Sequence, residues 1–309
     1  MTKAGLVVSA WRLIRPHQWA KNLLVLVPAA FAHQLGRPET LLRVVLAFLA
    51  FNFTASLGYV VNDILDRERD RLHKRKKNRP IAGGAISVPV ACAIGAVLFL
   101  GALALGAFLG VVVLWSLGGY LVLTTLYSKW LKERVLIDVL ALASLYTSRI
   151  IVGAVAAGVV PSVWLLSLSM FMFFSLALVK RCTELMLVDA SEKGSGLHGR
   201  DMRGRDYALA DADTLRAMGI ASSTTAVLVL ALYIDTSQAA HQYANPLWLW
   251  PTCPILWYWM CRMWIKTTRG QMHDDPIVYS LTDRGSWMSF AALAFCWAAA
   301  SLGLAPHLG

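Results

Sequence analysis

Apolar residues run along this chain in blocks too continuous for the one-sided helices of a soluble protein. A helix that crosses a bilayer needs about 20 mostly apolar residues. Nine stretches approach that length: 22–36, 40–62, 86–107, 110–127, 135–158, 162–180, 214–234, 244–264 and 286–305. The first is short, and the break between the third and fourth is placed at Gly106–Gly110. None shows the period-two alternation of a strand. The expected fold is all-α: a polytopic membrane protein with nine transmembrane helices, one integral domain over 1–309.

The polar breaks between the blocks set the orientation. With the N-terminus in the cytoplasm, all but Arg37, Arg43 and Arg149 of the 29 Lys and Arg fall on the cytoplasmic side. Cytoplasmic loops carry such an excess of Lys and Arg. The outer connections are short, so the loops 63–85, 181–213 and 265–285 form the cap of a cytoplasm-facing active site in an inner (plasma) membrane protein. The residues up to Asn22 read as an interfacial amphipathic start, without a small-residue cleavage site.

Composition narrows the function classes. The chain is 57% hydrophobic and 15% charged, against about 45–50% and about 25% for soluble domains. A soluble enzyme and a disordered chain are both excluded. The net charge of +11 points to anionic lipid or phosphorylated substrates, with no nucleic-acid partner. Five cysteines form no CxxC pair and read as buried small hydrophobes.

The densest chemistry lies at 62–70, Asn-Asp-Ile-Leu-Asp-Arg-Glu-Arg-Asp. On a continuous helix, Asn62, Asp63, Asp66 and Asp70 share an arc of about 100°. Three carboxylates on one face repel unless a cation lies between them. Hard oxygen ligands of this kind suit Mg²⁺, which typically uses few carboxylates plus substrate phosphates. The competing reading is a solvated helix end salt-bridged by Arg67, Arg69 and Arg71.

The NDxxDxxxD pattern, a basic loop and then Arg79-Pro80 resemble the first signature of the UbiA superfamily of intramembrane prenyltransferases. That resemblance implies nine helices, and an Asp motif that binds Mg²⁺ and the diphosphate of an isoprenyl donor. Aromatic prenyltransferases of the family carry a second motif of DxxxD type after the sixth span. Here that place holds Leu178-Val179-Lys180-Arg181-Cys182-Thr183-Glu184-Leu185. Two cations replace carboxylates, which suits a further phosphate group better than a second Mg²⁺.

The departure is similar to the polyprenyl-phosphate (decaprenyl-phosphate) phosphoribosyltransferase branch. Further stretches similar to it are Arg15-Pro16-His17-Gln18-Trp19-Ala20-Lys21-Asn22, Tyr127-Ser128 with Asp138, and Asp275-Pro276 with Asp283-Arg284. The resemblance implies transfer of 5-phosphoribose from phosphoribosyl diphosphate to a polyprenyl phosphate. The rival within the family is transfer of a prenyl group from a prenyl diphosphate lipid to an aromatic acceptor. A homo-oligomer is compatible with either.

The implied roles follow residue by residue. Asn62, Asp63, Asp66 and Asp70 hold Mg²⁺ on the diphosphate. Lys76 and Arg79, with His73, grip phosphates. Lys21, Lys180 and Arg181 bind the 5-phosphate or the acceptor phosphate. Glu184 orients these cations or bonds ribose hydroxyls, and Tyr127 contacts sugar or phosphate.

Arg149 stands about 14 residues into its span, where a charge is costly and usually functional. With Asp138, Gly153 and Ala156 it falls near one face, as on a helix lining a cavity; an internal ion pair is the alternative. Gly194–Gly199 fits GxGxxG but follows no strand, so a loop is expected there. His273-Asp274-Asp275-Pro276 reads as a helix start with acidic first residues.

Overall fold

Long apolar blocks satisfy their backbone groups internally in lipid only as helices, and the chain obeys this throughout. The computed structural model describes residues 3–72, 76–193, 206–272 and 275–303. The helices are α1 (Lys3–Ile14), α2 (Val27–Phe31), α3 (Pro38–Leu65), α4 (Arg67–Arg71), α5 (Val88–Leu109), α6 (Val111–Lys129), α7 (Ile137–Ala157), α8 (Val163–Lys193), α9 (Ala212–Ile234), α10 (Ser237–Gln242), α11 (Thr252–Thr268), α12 (Pro276–Ser280) and α13 (Arg284–Leu302). A 3-10 helix over Pro16–Leu26 leads into α2. Seven helices among the described residues are long and apolar enough to cross a membrane: α3, α5, α6, α7, α8, α9 and α13. Trp115, Phe108 and Val97 stand exposed on α5 and α6, as side chains facing lipid do. The protein is an integral membrane protein.

Two expected spans take other forms. The stretch 22–36 is divided between the 3-10 helix and the five residues of α2. The stretch 244–264 yields α11, 17 residues long, preceded by a 3-10 turn over Pro246–Leu249. The loop expected from 181 begins later, because α8 continues to Lys193. Lys180, Arg181 and Glu184 therefore lie inside a helix, where residues three and four apart are neighbours. The α5–α6 break is Gly110, whose φ of 122° suits a residue without Cβ.

The chain divides into two compact units, residues 1–131 with 148–161, and residues 132–147 with 162–309. In the first, α1 buries Leu13 against Leu57 and Val60 of α3, Ile81, Ile86, and Ala91 and Leu98 of α5. Leu6, Val7, Val8 and Trp11 remain exposed on α1, the outward apolar face an interfacial helix requires. Gly153 of α7 lies against the backbone of Val25, where an added Cβ would stand 2.0 Å from the carbonyl oxygen. Arg43, one of the three off-pattern cations, donates to the carbonyls of Leu109 and Ala156, both at 2.9 Å. It thereby satisfies unpaired C-terminal groups of α5 and α7.

In the second unit, α8, α9 and α11 pack around Trp264, whose indole N–H donates to Ser175 at 3.1 Å. Gly219 of α9 makes room for that indole. A second cluster joins Ile234, Tyr243, Leu249, Cys253 and Ala300. Of the cysteines, Cys182, Cys253 and Cys296 are buried and Cys261 is partly so; Cys92 is exposed, a correction to the reading of all five as buried. It sits on α5, whose outer face is apolar and uncovered.

Candidate functional site

The acidic motif is built at the end of α3. Helical geometry lapses at Asp66 (φ −87°, ψ 3°) before α4 begins. The hydrogen bonds from Asp66 N–H to Asn62 and from Asp70 N–H to Asp66, both 2.8 Å, keep the path nearly helical. Asp63 and Asp70 consequently still meet one partner. Arg79 donates to Asp63 Oδ1 at 3.1 Å and to Asp70 Oδ2 at 2.6 Å. Arg15 donates to the same Asp63 oxygen at 2.7 Å. Both carboxylates are buried and salt-bridged, so of the competing reading the ion pairs hold while the solvation does not extend to Asp63 and Asp70. Their partners come from before α3 and after α4; Arg71 instead bonds exposed Glu68.

Mutual repulsion of the carboxylates is thus relieved here by two guanidinium groups. Asp63 Oδ2 is buried and accepts no hydrogen bond among the described residues. No three acidic, imidazole or thiol groups among the described residues converge as metal ligands. Asn62 and Asp66 are partly exposed.

Arg15 was absent from the set of site residues that sequence reasoning selected, although it opens the RPHQWAKN stretch. Its φ of 53° is unusual for a residue with a Cβ and costs strain. The strained turn directs the guanidinium onto Asp63 and over the Tyr59 ring, 5.0 Å from its centroid. Six residues on, Lys21 is buried in the 3-10 helix. Lys76 is exposed on a single 3-10 turn over Lys76–Asn78, and Tyr127 is partly buried on α6. His73 lies outside the described residues.

Arg149 is enclosed. Its Nε donates to Asn22 Oδ1 at 2.8 Å, and Asn22 donates to Asn52 at 2.6 Å. Its guanidinium lies over Phe51 and Tyr120, at 5.1 and 5.3 Å. The face shared by Asp138, Arg149, Gly153 and Ala156 is buried. Small side chains on that face let neighbouring backbone approach.

In the second unit, the Lys180–Glu184 stretch is held by carboxylates. Arg181 is fully buried; its Nε donates to Asp138 Oδ2 and its NH1 to Glu184 Oε2. Asp138 Oδ1 accepts from the Tyr207 hydroxyl at 2.6 Å and from Val139 N–H at 2.7 Å. Burial, and then the bond to Asp138, hold the Tyr207 phenol well above its ordinary range, so it remains a neutral donor. Lys180 lies 3.6 Å from Asp275, which also accepts from Tyr146 at 3.2 Å.

Asp275 also caps α12 through Ile277 N–H at 3.1 Å, the helix start read from Asp-Pro. His273, Asp274 and the GxGxxG stretch 194–199 lie outside the described residues. Asp138 and Tyr207 are members of this group that were not among the expected site residues, although Asp138 was read on one helix face with Arg149. Asp138 had a signal, one Asp at the head of an apolar span; Tyr207 had none.

Residues 22–282 match the UbiA prenyltransferase family. The chain is 35% identical to the uncharacterized protein y4nM of Sinorhizobium fredii over 91% of its own length, and spans 54% of that protein. It is 32% identical to the nodulation protein NoeC of Azorhizobium caulinodans, covering 91% of this chain and 89% of NoeC. Decaprenyl-phosphate phosphoribosyltransferase of Corynebacterium glutamicum is 38% identical over 57% of this chain and 54% of that enzyme. In fold, the chain is similar to a UbiA homolog from Archaeoglobus fulgidus solved with GPP and Mg²⁺: TM-score 0.68, 17% identity, 94% of this chain and 99% of that one.

Proposed function

Because the chain belongs to the UbiA prenyltransferase family, a family of transferases, we propose that it moves 5-phosphoribose from phosphoribosyl diphosphate to a polyprenyl phosphate. The proposal includes nine membrane passes, a cytoplasmic N-terminus and a site facing the cytoplasm at the inner membrane, beneath the segments 63–85, 181–213 and 265–285, the second of which begins as the end of α8. The observation that carries it is the buried pair Asp63–Asp70, with one Asp63 oxygen left unpartnered. An unsatisfied buried carboxylate oxygen is costly, and a hard cation is the partner it suits.

The acid cluster fits Mg²⁺ on that ground. Asp63 and Asp70, which meet at Arg79, would hold it. Asp66, which does not converge with them as a third ligand among the described residues, and Asn62 would complete the set by turning toward it. When bound, Mg²⁺ supplies neutralisation of the charge gathering on the departing diphosphate. The bond from ribose C1 to the diphosphate oxygen breaks, its electron pair leaving with the diphosphate. An oxygen of the polyprenyl phosphate forms the new bond to C1. That oxygen is already anionic, so no strong general base is needed.

The chain's own cations do the holding. Arg79 and Arg15, in contact with the acid cluster, have the rigid donor fork that suits diphosphate oxygens. Lys76, His73 and Lys21 bind the remaining phosphates, and Tyr127 contacts sugar or phosphate. Lys180 and Glu184 meet the donor. Arg181, with no exposed surface, acts through its neighbours, and Arg149 orders Asn22 beside Lys21.

Similarity to the corynebacterial phosphoribosyltransferase and the Lys-Arg-xx-Glu stretch support the ribosyl donor. The second reading, a prenyl donor and an aromatic acceptor, draws on the fold shared with a homolog solved with GPP. One assay separates them. The purified chain with Mg²⁺, labelled phosphoribosyl diphosphate and a polyprenyl phosphate is expected to move label into the lipid phase. Unlabelled lipid together with prenylation of an aromatic acid reverses the reading.

A further inference from the structure

The Lys180–Glu184 stretch was expected to be a pair of spare cations for phosphate. Its geometry is different. Two sets of charges lie here, Lys180 with Asp275 and Arg181 with Asp138 and Glu184, so that three carboxylates stand against two cations. Arg181 and Asp138 are wholly enclosed, at 0% side-chain exposure, while Glu184 keeps 29%. The part of this pair that a ligand reaches is a carboxylate, not the guanidinium.

The bonds converge on Asp138 from two sides, and Arg181 carries the contact on to Glu184. Leu136 N–H donates to the Tyr207 oxygen at 2.9 Å. Tyr207 donates to Asp138, Asp138 accepts Arg181 Nε, and Arg181 turns its NH1 to Glu184. Leu136 holds a left-handed backbone, φ 64°, a strained conformation that persists only where the surroundings over-determine it. A guanidinium presents its five donors in one fixed plane. Fixing Nε on Asp138 therefore fixes where NH1 points, and with it the carboxylate of Glu184.

An ionised carboxylate only accepts hydrogen bonds. It repels phosphate and has nothing to offer a hydrocarbon tail. Vicinal hydroxyls of a pentose are the donor groups it suits. Resting on the reading proposed above, we infer that Tyr207 and Asp138 are positioning residues that hold Arg181 so that Glu184 meets the ribose hydroxyls, and that this relay sets the preference for a ribosyl donor.

The test compares transfer from phosphoribosyl diphosphate and from its 2-deoxyribosyl analogue, both with Mg²⁺ and a polyprenyl phosphate. A hydrogen bond to a charged group is worth a factor of roughly 10 to 100, so the intact protein is expected to prefer the ribosyl donor by about that ratio in kcat/KM. Glu184→Gln is expected to bring the ratio close to one. Tyr207→Phe, which removes only the hydroxyl, is expected to lower it part of the way, with the thermal midpoint in detergent nearly kept.

A ratio unchanged by Glu184→Gln while transfer persists overturns the assignment of the hydroxyls to Glu184. A ratio unchanged in folded Tyr207→Phe overturns the relay. Glu184 is partly exposed, so its variant is expected to fold and decides the question even where Tyr207→Phe does not. Failure of the intact chain to transfer phosphoribose at all removes the underlying reading, and this inference with it.

Discussion

The two charged clusters differ in what they leave open. Around Asp63 and Asp70 the carboxylates are buried, and the arginines that neutralise them, Arg15 and Arg79, keep about a quarter of their side chains exposed, 23% and 24%. Around Arg181 the order is inverted: the cation is sealed and a carboxylate reaches the surface. An exposed guanidinium can exchange its partner at modest cost. A sealed one cannot, because removing its partner strands a charge in a medium of low dielectric. The first cluster is built for exchange of counter-ions, the second to hold one geometry.

The largest effect that tests this contrast is on stability. Asp138→Asn is expected to cost about 3–5 kcal/mol, since it leaves buried Arg181 short of a counter-charge. Thermal or denaturant unfolding in detergent measures it. A loss under about 1 kcal/mol, the range of exposed pairs, would place the Arg181 cluster with the exchangeable kind.

Next in size is the response to metal. Asp63→Asn is expected to lower transfer by at least about 100-fold, a loss of several kcal/mol of charge stabilisation, and to abolish any rise in melting temperature on adding Mg²⁺. Initial rates and melting curves across a Mg²⁺ titration check both. Full retention of either would remove the metal from this cluster.

The smallest effect sharpens the comparison from the other side. Arg79→Gln is expected to cost about 1 kcal/mol or less in stability, because its pairs are partly screened by solvent. The donor KM is expected to rise at the same time. A stability loss as large as that of Asp138→Asn would show the two clusters to be alike.

Much of the architecture was legible because it is local. Spans α3, α5, α6, α7, α8, α9 and α13 follow from continuous apolar runs, and the break at Gly110 from a residue without Cβ. Asp275 as a helix cap was readable from Asp-Pro alone. The ends of elements were less legible. The helix α8 outlasts its apolar run, continuing to Lys193 through a stretch where Arg181 and Glu184 pair one turn apart, and hydropathy does not register such pairs. Arg43 and Arg149 broke the charge pattern without an evident reason. Their partners, helix C-terminal carbonyls and a buried asparagine, lie far away along the chain.

Apolar continuity, the spacing of Asp63, Asp66 and Asp70, and the helix start at Pro276 were determined by the amino-acid sequence itself, since each depends on residues within a turn or two of one another. Which cation meets which carboxylate was decided only by the folded chain. Arg15 reaches Asp63 across 48 residues, and Arg181 reaches Asp138 across 43. Nothing in the sequence ranks such partners, because the energy of an ion pair depends on separation in space and on exclusion of water, and both are products of packing.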